Sequence, residues 1–263
     1  GEKTTAEVDL CKLANLVVTV GPKLTEAYSA YLRSCEKPQD NMSFTPGTFK
    51  EFSTPNHASA DSEKFRVLTF GRGDPEDFSL EGNDIAAKAI VELKDHSYHL
   101  ICVGAPDGKE NTVVQNLLQS GISKRQLTVR KFLQSKQKLK HCFCEVDLCI
   151  MPSRTEGFGL IALEALSAGL PILVSGNSGF GDALPTLPFG TSFVVDSEDP
   201  KVWAKAIDGV RKMKRSLRLQ GIERLRTSYE EQFSWEKQCD LLVDKMWDKV
   251  HGVGMLIIST FLS

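Results

Sequence analysis

From Phe65 onward the chain alternates short apolar, β-branched runs with amphipathic helical stretches, and nothing else in the sequence restricts its fold as strongly. The runs are FRVLTFG (65–71), YHLICVG (98–104), QLTVRKF (126–132), VDLCIMP (146–152), PILVS (171–175) and TSFVV (191–195). Helical periodicity lies between them, near 84–94, 110–120, 135–144 and 158–168, and continues at about 199–214, 216–231 and 235–250. Such strand–helix alternation predicts an α/β fold of βαβ units: a parallel sheet of about six strands with helices on both faces.

The first residues read differently. VDLCKLANLVVTVGPKLTEAYSAYLR predicts a helix, a strand at 16–20 and a second helix opened by Gly21-Pro22, proline being suited to the first helical turn. This is one strand without a sheet of its own. An open edge predicts pairing with another chain, as in a homo-oligomer, or packing back onto the main domain. Cys35 to Glu63 is rich in Pro, Ser, Thr and Asn, with Pro38, Pro46 and Pro55, and predicts a linker or long loop. The expected organisation is a strand–helix piece over 1–34, a linker over 35–63, a complete α/β domain over 64–233, a helix over 234–250 and an apolar tail over 251–263.

Composition narrows the functional classes. A net charge of −2 among 263 residues, with 41% hydrophobic and 25% charged residues, predicts a globular protein that binds neither nucleic acid nor membrane through bulk charge. The tail GVGMLIISTFLS is shorter than the roughly 20 residues a membrane span needs. Cys11, Cys35, Cys102, Cys142, Cys144, Cys149 and Cys239 are odd in number, form no CxxC pair and lie partly in apolar runs. With a charged start unlike a signal peptide, they predict a reducing, cytoplasmic compartment. The HCFC stretch at 141–144 lacks the spacing and second pair of a zinc site, so no metal is expected. Between Asn111 and Cys144 there is no acidic residue, while Lys124, Arg125, Arg130, Lys131, Lys136, Lys138 and Lys140 are present. That span is either a solvated basic face or an electropositive rim for a phosphate-bearing ligand.

Two loops at strand ends carry candidate chemistry. SRTEGFGLIALEALSAGLP (153–171) follows a strand, turns through Gly157 and Gly159, and enters a helix. Ligands of parallel sheets bind beyond the carboxyl ends of the strands, and a helix start suits an anion. Glu156 borders that helix, and Glu164 sits about two turns in, with its side chain leaning back toward the same end. Carboxylates do not hold phosphate, so a ligand carrying both diphosphate and sugar hydroxyls would satisfy both features. The alternatives are a satisfied structural carboxylate for Glu164 and a plain loop or helix-start charge for Glu156. The second loop is FGRGDPEDF (70–78), where Gly71 and Gly73 flank Arg72. Glu76 occupies the place of a third glycine, so the dinucleotide-binding pattern fails. Arg72 can either grip phosphate with two parallel hydrogen bonds or form a surface ion pair.

SRTEGFGLIALEALSAGLPILVS resembles the E-x7-E signature of the GT-B glycosyltransferases, in particular the retaining enzymes of family 4. VDLCIMPS before it, SGNSGFGDAL after it, GTSFVVDSEDPKVWAKAI, FSWEKQCDLLVDKM and ANLVVTVGPKLTEAY resemble the flanking segments of that family, so the resemblance spans roughly 8–250. It implies the Rossmann-like, donor-binding C-terminal half of a GT-B fold, with 1–34 as a remnant of the acceptor-side domain and 234–250 as the cross-over helix. It implies transfer of a sugar from a nucleotide-sugar to a carbohydrate or other acceptor, without a cofactor. By resemblance Glu164 meets the ribose hydroxyls and Glu156 the transferred sugar. Gly157, Phe158, Gly159 and Leu160 give backbone donors to sugar or phosphate. Arg72, between Gly71 and Gly73, neutralises the diphosphate, and Arg130, Lys131 and Phe132 edge the base. Glu156 and Arg72 are the expected catalytic pair. In place of the family's lysine-glycine dipeptide this chain has Glu81-Gly82, and most of the acceptor-side half has no counterpart. The chain by itself is therefore expected to be inactive. The remaining alternatives are a nucleotide-sugar sensor that has lost catalysis, or another GT-B enzyme such as a nucleotide-sugar epimerase.

Overall fold

The structure, a computed structural model, describes residues 2–34, 36–37, 40–53, 63–71 and 79–259. The chain divides into two compact units, one of Thr48–Tyr229 and one of Gly1–Gly47 with Glu230–Ser263.

The smaller unit opens with α1 (Glu2–Leu13), β1 (Val17–Val20), α2 (Pro22–Ser34) and β2 (Asn41–Phe44). β1 and β2 are parallel, Val17 opposite Asn41 and Val20 opposite Phe44, with α2 as the crossover. The strand expected to stand alone thus has a partner inside the chain. Composition predicts only loop for 35–63, because Asn-Met-Ser-Phe carries no β-branched residue. Tertiary pairing overrides that weak propensity. Side chains secure the crossover: Thr19 and Thr25 hydroxyls lie 2.8 Å apart, and the Asn41 amide donates to Thr25 O at 2.9 Å and to the Ser29 hydroxyl at 2.8 Å.

The larger unit contains β3 (Phe65–Phe70), α3 (Asn83–Glu92), β4 (Tyr98–Ala105), α4 (Glu110–Leu118), β5 (Leu127–Lys131), α5 (Lys136–Cys144), β6 (Leu148–Met151) and α6 (Leu160–Ser167). It continues through β7 (Ile172–Ser175), α7 (Gly179–Ala183), β8 (Val194–Val195), α8 (Pro200–Lys212) and most of α9 (Arg215–Gln232). Among the described residues, six strands form one parallel sheet in the order β5-β4-β3-β6-β7-β8. On one face Val67, Leu100, Cys102, Leu148 and Ile150 pack with Ile85, Ile90, Val113, Leu117, Trp203 and Ile207. The small Ala86, Ala87 and Ala89, all fully buried, let α3 lie close to the sheet. Phe70 and Phe52 each meet Phe143 edge to face, at ring separations of 6.2 and 5.8 Å. Helix starts are capped as their sequences require: Ser135, Ser178 and Asp199 accept from Lys138, Gly181 and Lys201 backbone N–H groups.

The parallel α/β expectation holds, with two local differences. Of the run at 191–195 only Val194 and Val195 form a strand, because Gly190–Phe193 winds into a 3-10 turn. The helix expected from 158 starts at Leu160, since Gly159 has φ +99° and cannot continue a right-handed helix backward.

The smaller unit closes with α10 (Trp235–Ser259). The Gln238 side chain accepts from the buried Thr45 N–H at 2.9 Å, the Phe44 and Trp235 rings lie 5.9 Å apart, and Lys249 pairs with Asp40. The backbone stays helical past 250, through most of the apolar tail, where no proline interrupts it; 260–263 lie outside the described residues. No helix among the described residues is long and apolar enough to cross a membrane.

Candidate functional site

The sheet order reverses between β3 and β6, so the chain turns away in opposite directions from the carboxyl ends of these neighbouring strands. The crevice at such a point is where parallel α/β sheets take ligands. Gly71 follows β3 there, and Pro152 to Gly159 follow β6. Gly71 at the end of β3 and the β6 loop are therefore neighbours at one place in the sheet; 72–78, with Arg72 and Gly73, lie outside the described residues.

Gly82 binds the two sides together. Its φ is +73°, and a Cβ there would lie 2.0 Å from the Pro152 carbonyl oxygen, so only glycine lets the start of α3 seat against the β6 loop. Arg154 adds a charged clamp. Its guanidinium meets Asp84, on the first turn of α3, at 2.7 and 3.1 Å, and Glu198 at 3.2 Å. Its backbone N–H donates to Leu80 O at 2.8 Å. Burial works to raise the Asp84 pKa, but hydrogen bonds from Arg154 and Lys88 outweigh it and hold the carboxyl below its ordinary value. Glu81, just before Gly82, accepts a long 3.5 Å contact from the fully buried Asn83 amide.

Beyond Arg154 the loop pairs with the start of α7: Glu156 N–H donates to Asn177 O at 3.1 Å, and Glu156 bridges Ser178 in parallel fashion. Phe158 is buried against Phe180, their rings 5.8 Å apart, while Leu160 is exposed. Gly159 caps α6, whose first N–H groups lack intrahelical acceptors.

Glu164 is the most unusual group of the site. It lies between the buried pairs Ala162–Leu163 and Ala165–Leu166 on α6. Its Oε2 is buried and has no hydrogen-bond partner among the described residues. Burial pushes its pKa up to about 7; Lys136 opposes that rise and Glu51 adds to it. Lys136 and Glu51 are themselves paired at 2.5 Å. A half-buried carboxylate without a partner is costly in a protein that gains nothing from it.

The base-edge candidates divide. Lys131 ends β5 and pairs with Asp107 at 3.0 Å and Glu110 at 3.4 Å; Phe132 is 66% exposed, its N–H bound to Ala105 O at 3.0 Å. Both sit at the carboxyl end of the sheet. Arg130 instead points onto a sheet face, paired with Glu145 at 2.6 Å, in an open cavity of about 650 Å³ with Arg66, His99 and Thr128. The acid-free span thus faces partly toward this cavity, and His99 there is held below its ordinary pKa by burial and by Lys64, Arg66 and Arg130. Arg154, Asp84 and Asn83 were not legible in the sequence as site residues. Arg154 stands three residues before Gly157, but its partners are 70 and 44 positions away, beyond any local pattern.

The sheet order, the helix-opening loop of β6 and the E-x7-E pair define the class: this is the GT-B fold of glycosyltransferases. Solved structures agree. Anabaena HepE in complex with UDP and glucose superposes with a TM-score of 0.69 at 16% identity, over 92% of this chain and 66% of that one. Sucrose-phosphate synthase from Thermosynechococcus elongatus gives 0.70 at 20% identity, over 95% and 61%. The chain belongs to the family 4 glycosyltransferases: the family model described as "Family 4 Glycosyltransferase in conflict systems" matches residues 1–242. The D-inositol 3-phosphate glycosyltransferase of Mycobacterium marinum is 31% identical over 183 residues, 68% of this chain and 37% of that protein. The corresponding protein of Paenarthrobacter aurescens is 25% identical over 214 residues, 80% of this chain and 50% of its own length. The chain thus spans half or less of these relatives.

Proposed function

We propose that this chain binds a nucleotide-sugar in the crevice between β3 and β6 and forms the donor half of a retaining glycosyltransferase. The observation that carries the proposal is the half-buried Glu164 carboxyl, whose Oε2 has no hydrogen-bond partner among the described residues. Ribose hydroxyls are donors of the kind that acceptor lacks. Glu156 takes the transferred sugar, and the backbone of 157–160 at the start of α6 takes sugar or phosphate oxygens. Arg72 neutralises the departing diphosphate. Charge grows on that leaving group as the glycosidic bond breaks, so a fixed helix end and a guanidinium accelerate the step without a metal. The acceptor wall and the acceptor itself come from outside this chain, in line with the share of its relatives it spans.

Calorimetric titration with UDP, GDP, ADP and their sugars tests this. UDP is the first to try because HepE was solved with UDP and glucose and Staphylococcus aureus TarM with UDP. Binding of one nucleotide below millimolar, lost in Glu164→Ala, is expected; no binding by a folded chain would overturn it.

A second reading, a nucleotide-sugar sensor without transfer activity, is favoured by one observation. Glu81 places a carboxylate beside the first turn of α3, where a diphosphate would be repelled. Binding without turnover, with affinity raised by Glu81→Lys, would select it.

A further inference from the structure

Thr48 to Ser53 belong to the larger unit and run as a strap over α6 and α5, through the 3-10 turn Lys50–Phe52. Phe49 N–H donates to the Ser167 hydroxyl of α6 at 3.0 Å. Phe52 is fully buried, its ring against that of Phe143 on α5. The Lys140 ammonium donates to the Glu51 and Ser53 carbonyls at 3.2 and 3.3 Å. Ser167 stands one turn beyond Glu164 on α6, and Phe143 stands two turns beyond Lys136 on α5. A strap tied to Ser167 at Phe49 and to Phe143 at Phe52 therefore sets Glu51, between them, beside both Glu164 and Lys136.

These three charged groups are unequally partnered. Lys136 Nζ meets Glu51 Oε1 at 2.5 Å, and this hydrogen bond holds the Glu51 carboxyl below its ordinary pKa and the Lys136 ammonium above its own. Glu164 also supports the charge on Lys136, yet no ion pair joins those two among the described residues. For Glu164 burial dominates; Lys136 and Glu51 are the charges that act on it, the first lowering its pKa and the second raising it. Arg226 of α9 reaches only the Ser167 carbonyl, at the far end of α6, and pairs with Glu223. The Lys136–Glu51 pair is solvent-exposed, and such pairs contribute little stability. The strap does not need it, because Phe49, Phe52 and Lys140 already fix its course.

We propose that Glu51 is a positioning residue of the donor site: it holds the Lys136 ammonium away from the Glu164 carboxyl and leaves that carboxyl open to ligand hydroxyls. With Glu51 neutral, the carboxylate that remains to act on Lys136 is Glu164. The ammonium then occupies the acceptor that the ligand would use. The ligand half of this inference rests on the reading of Glu164 as the acceptor for ribose; the placement of Lys136 by Glu51 does not.

The test has one readout without ligand and one with it. The first is an NMR titration of the chain with carboxyl-labelled glutamate, the Glu164 signal being assigned by its loss in Glu164→Gln. The wild-type midpoint is expected near 7. Glu51→Gln should move it to lower pH, because a like charge goes and the ammonium arrives. Lys136→Met should move it to higher pH, and the double variant should return toward wild type. A strap that is merely loosened would not move the midpoint in opposite directions. The second readout is calorimetry with UDP at pH 8.5, where Glu164 is ionised. Glu51→Gln should weaken binding about fivefold, the scale of a partly exposed ion pair that the ligand must displace. Adding Lys136→Met should restore wild-type affinity. An unmoved or raised midpoint in Glu51→Gln would overturn the proposal while leaving the donor reading intact. So would unchanged UDP affinity in Glu51→Gln, or a loss that Lys136→Met does not restore. Opposite midpoint shifts in a folded chain that binds no nucleotide would instead overturn the donor reading, and the ligand half of this proposal with it.

Discussion

Glu164→Gln keeps the shape of the side chain and removes its charge. In the wild-type fold the carboxyl is pushed from the ordinary 4.5 to about 7, chiefly by burial. The native state therefore holds a proton over a pH range in which the unfolded chain has released it. Stability is lost as pH rises from 4.5 through 7, and the loss is complete above about 8. At about 1.36 kcal/mol per pH unit the ceiling is about 3.4 kcal/mol. The carboxyl is only half-buried, and solvent screening reduces this to about 1.5 kcal/mol. Glutamine bears none of it, so the variant should melt about 3–6 °C higher than wild type at pH 8.5, with a small difference at pH 5. Thermal unfolding followed by tryptophan fluorescence at the two pH values reads this directly. The same substitution should weaken nucleotide binding at pH 8 by about tenfold or more, because hydrogen bonds to a charged acceptor are lost. In wild type, nucleotide affinity should fall as pH drops below 7, because hydroxyl donors favour the ionised carboxylate. A Tm gain equal at both pH values would refute the ionisation argument. A stabilised variant that binds nucleotide as tightly as wild type would refute the assignment of Glu164 to the ligand.

Three further outcomes are expected. Glu81→Lys should raise UDP affinity about tenfold in titration at low salt, since it replaces a repelling charge with an attracting one; no change would place Glu81 away from the phosphates. Arg154→Met should cost about 1–2 kcal/mol in denaturant unfolding, as Asp84 loses a bidentate partner and Glu198 a single ion pair, and should weaken donor binding as well; unaffected binding would mean that the β6 loop keeps its place without the clamp. Gly159→Ala should destabilise by about 1–2 kcal/mol, because alanine is strained at φ +99°; an unchanged denaturant midpoint would show that the loop turns without glycine.

What the sequence reveals of this protein follows from how local each determinant is. β3, β4, β6 and β7 are legible because strands buried on both faces need continuous apolar runs. β2 is not, because its existence depends on a partner 24 positions earlier. The same division runs through the site. Glu156, Gly159 and Glu164 share one strand–turn–helix segment, and their spacing announces them. Arg154 looks like a solvated loop residue until α3 and the segment after β8 fold onto it, and Arg130 looks like a rim residue until its pairing with Glu145 turns it onto the sheet face. Sequence shows Glu164 as an oddity in an apolar helix. Its meaning depends on a negative fact, the lack of a hydrogen-bond partner for Oε2 among the described residues, that only the packed surroundings supply. Asp84 and Asn41, by contrast, have side-chain partners 70 and 12 to 16 positions away. On the proposed reading, the Glu164 carboxyl, whose Oε2 has no partner among the described residues, takes its donors from the ligand.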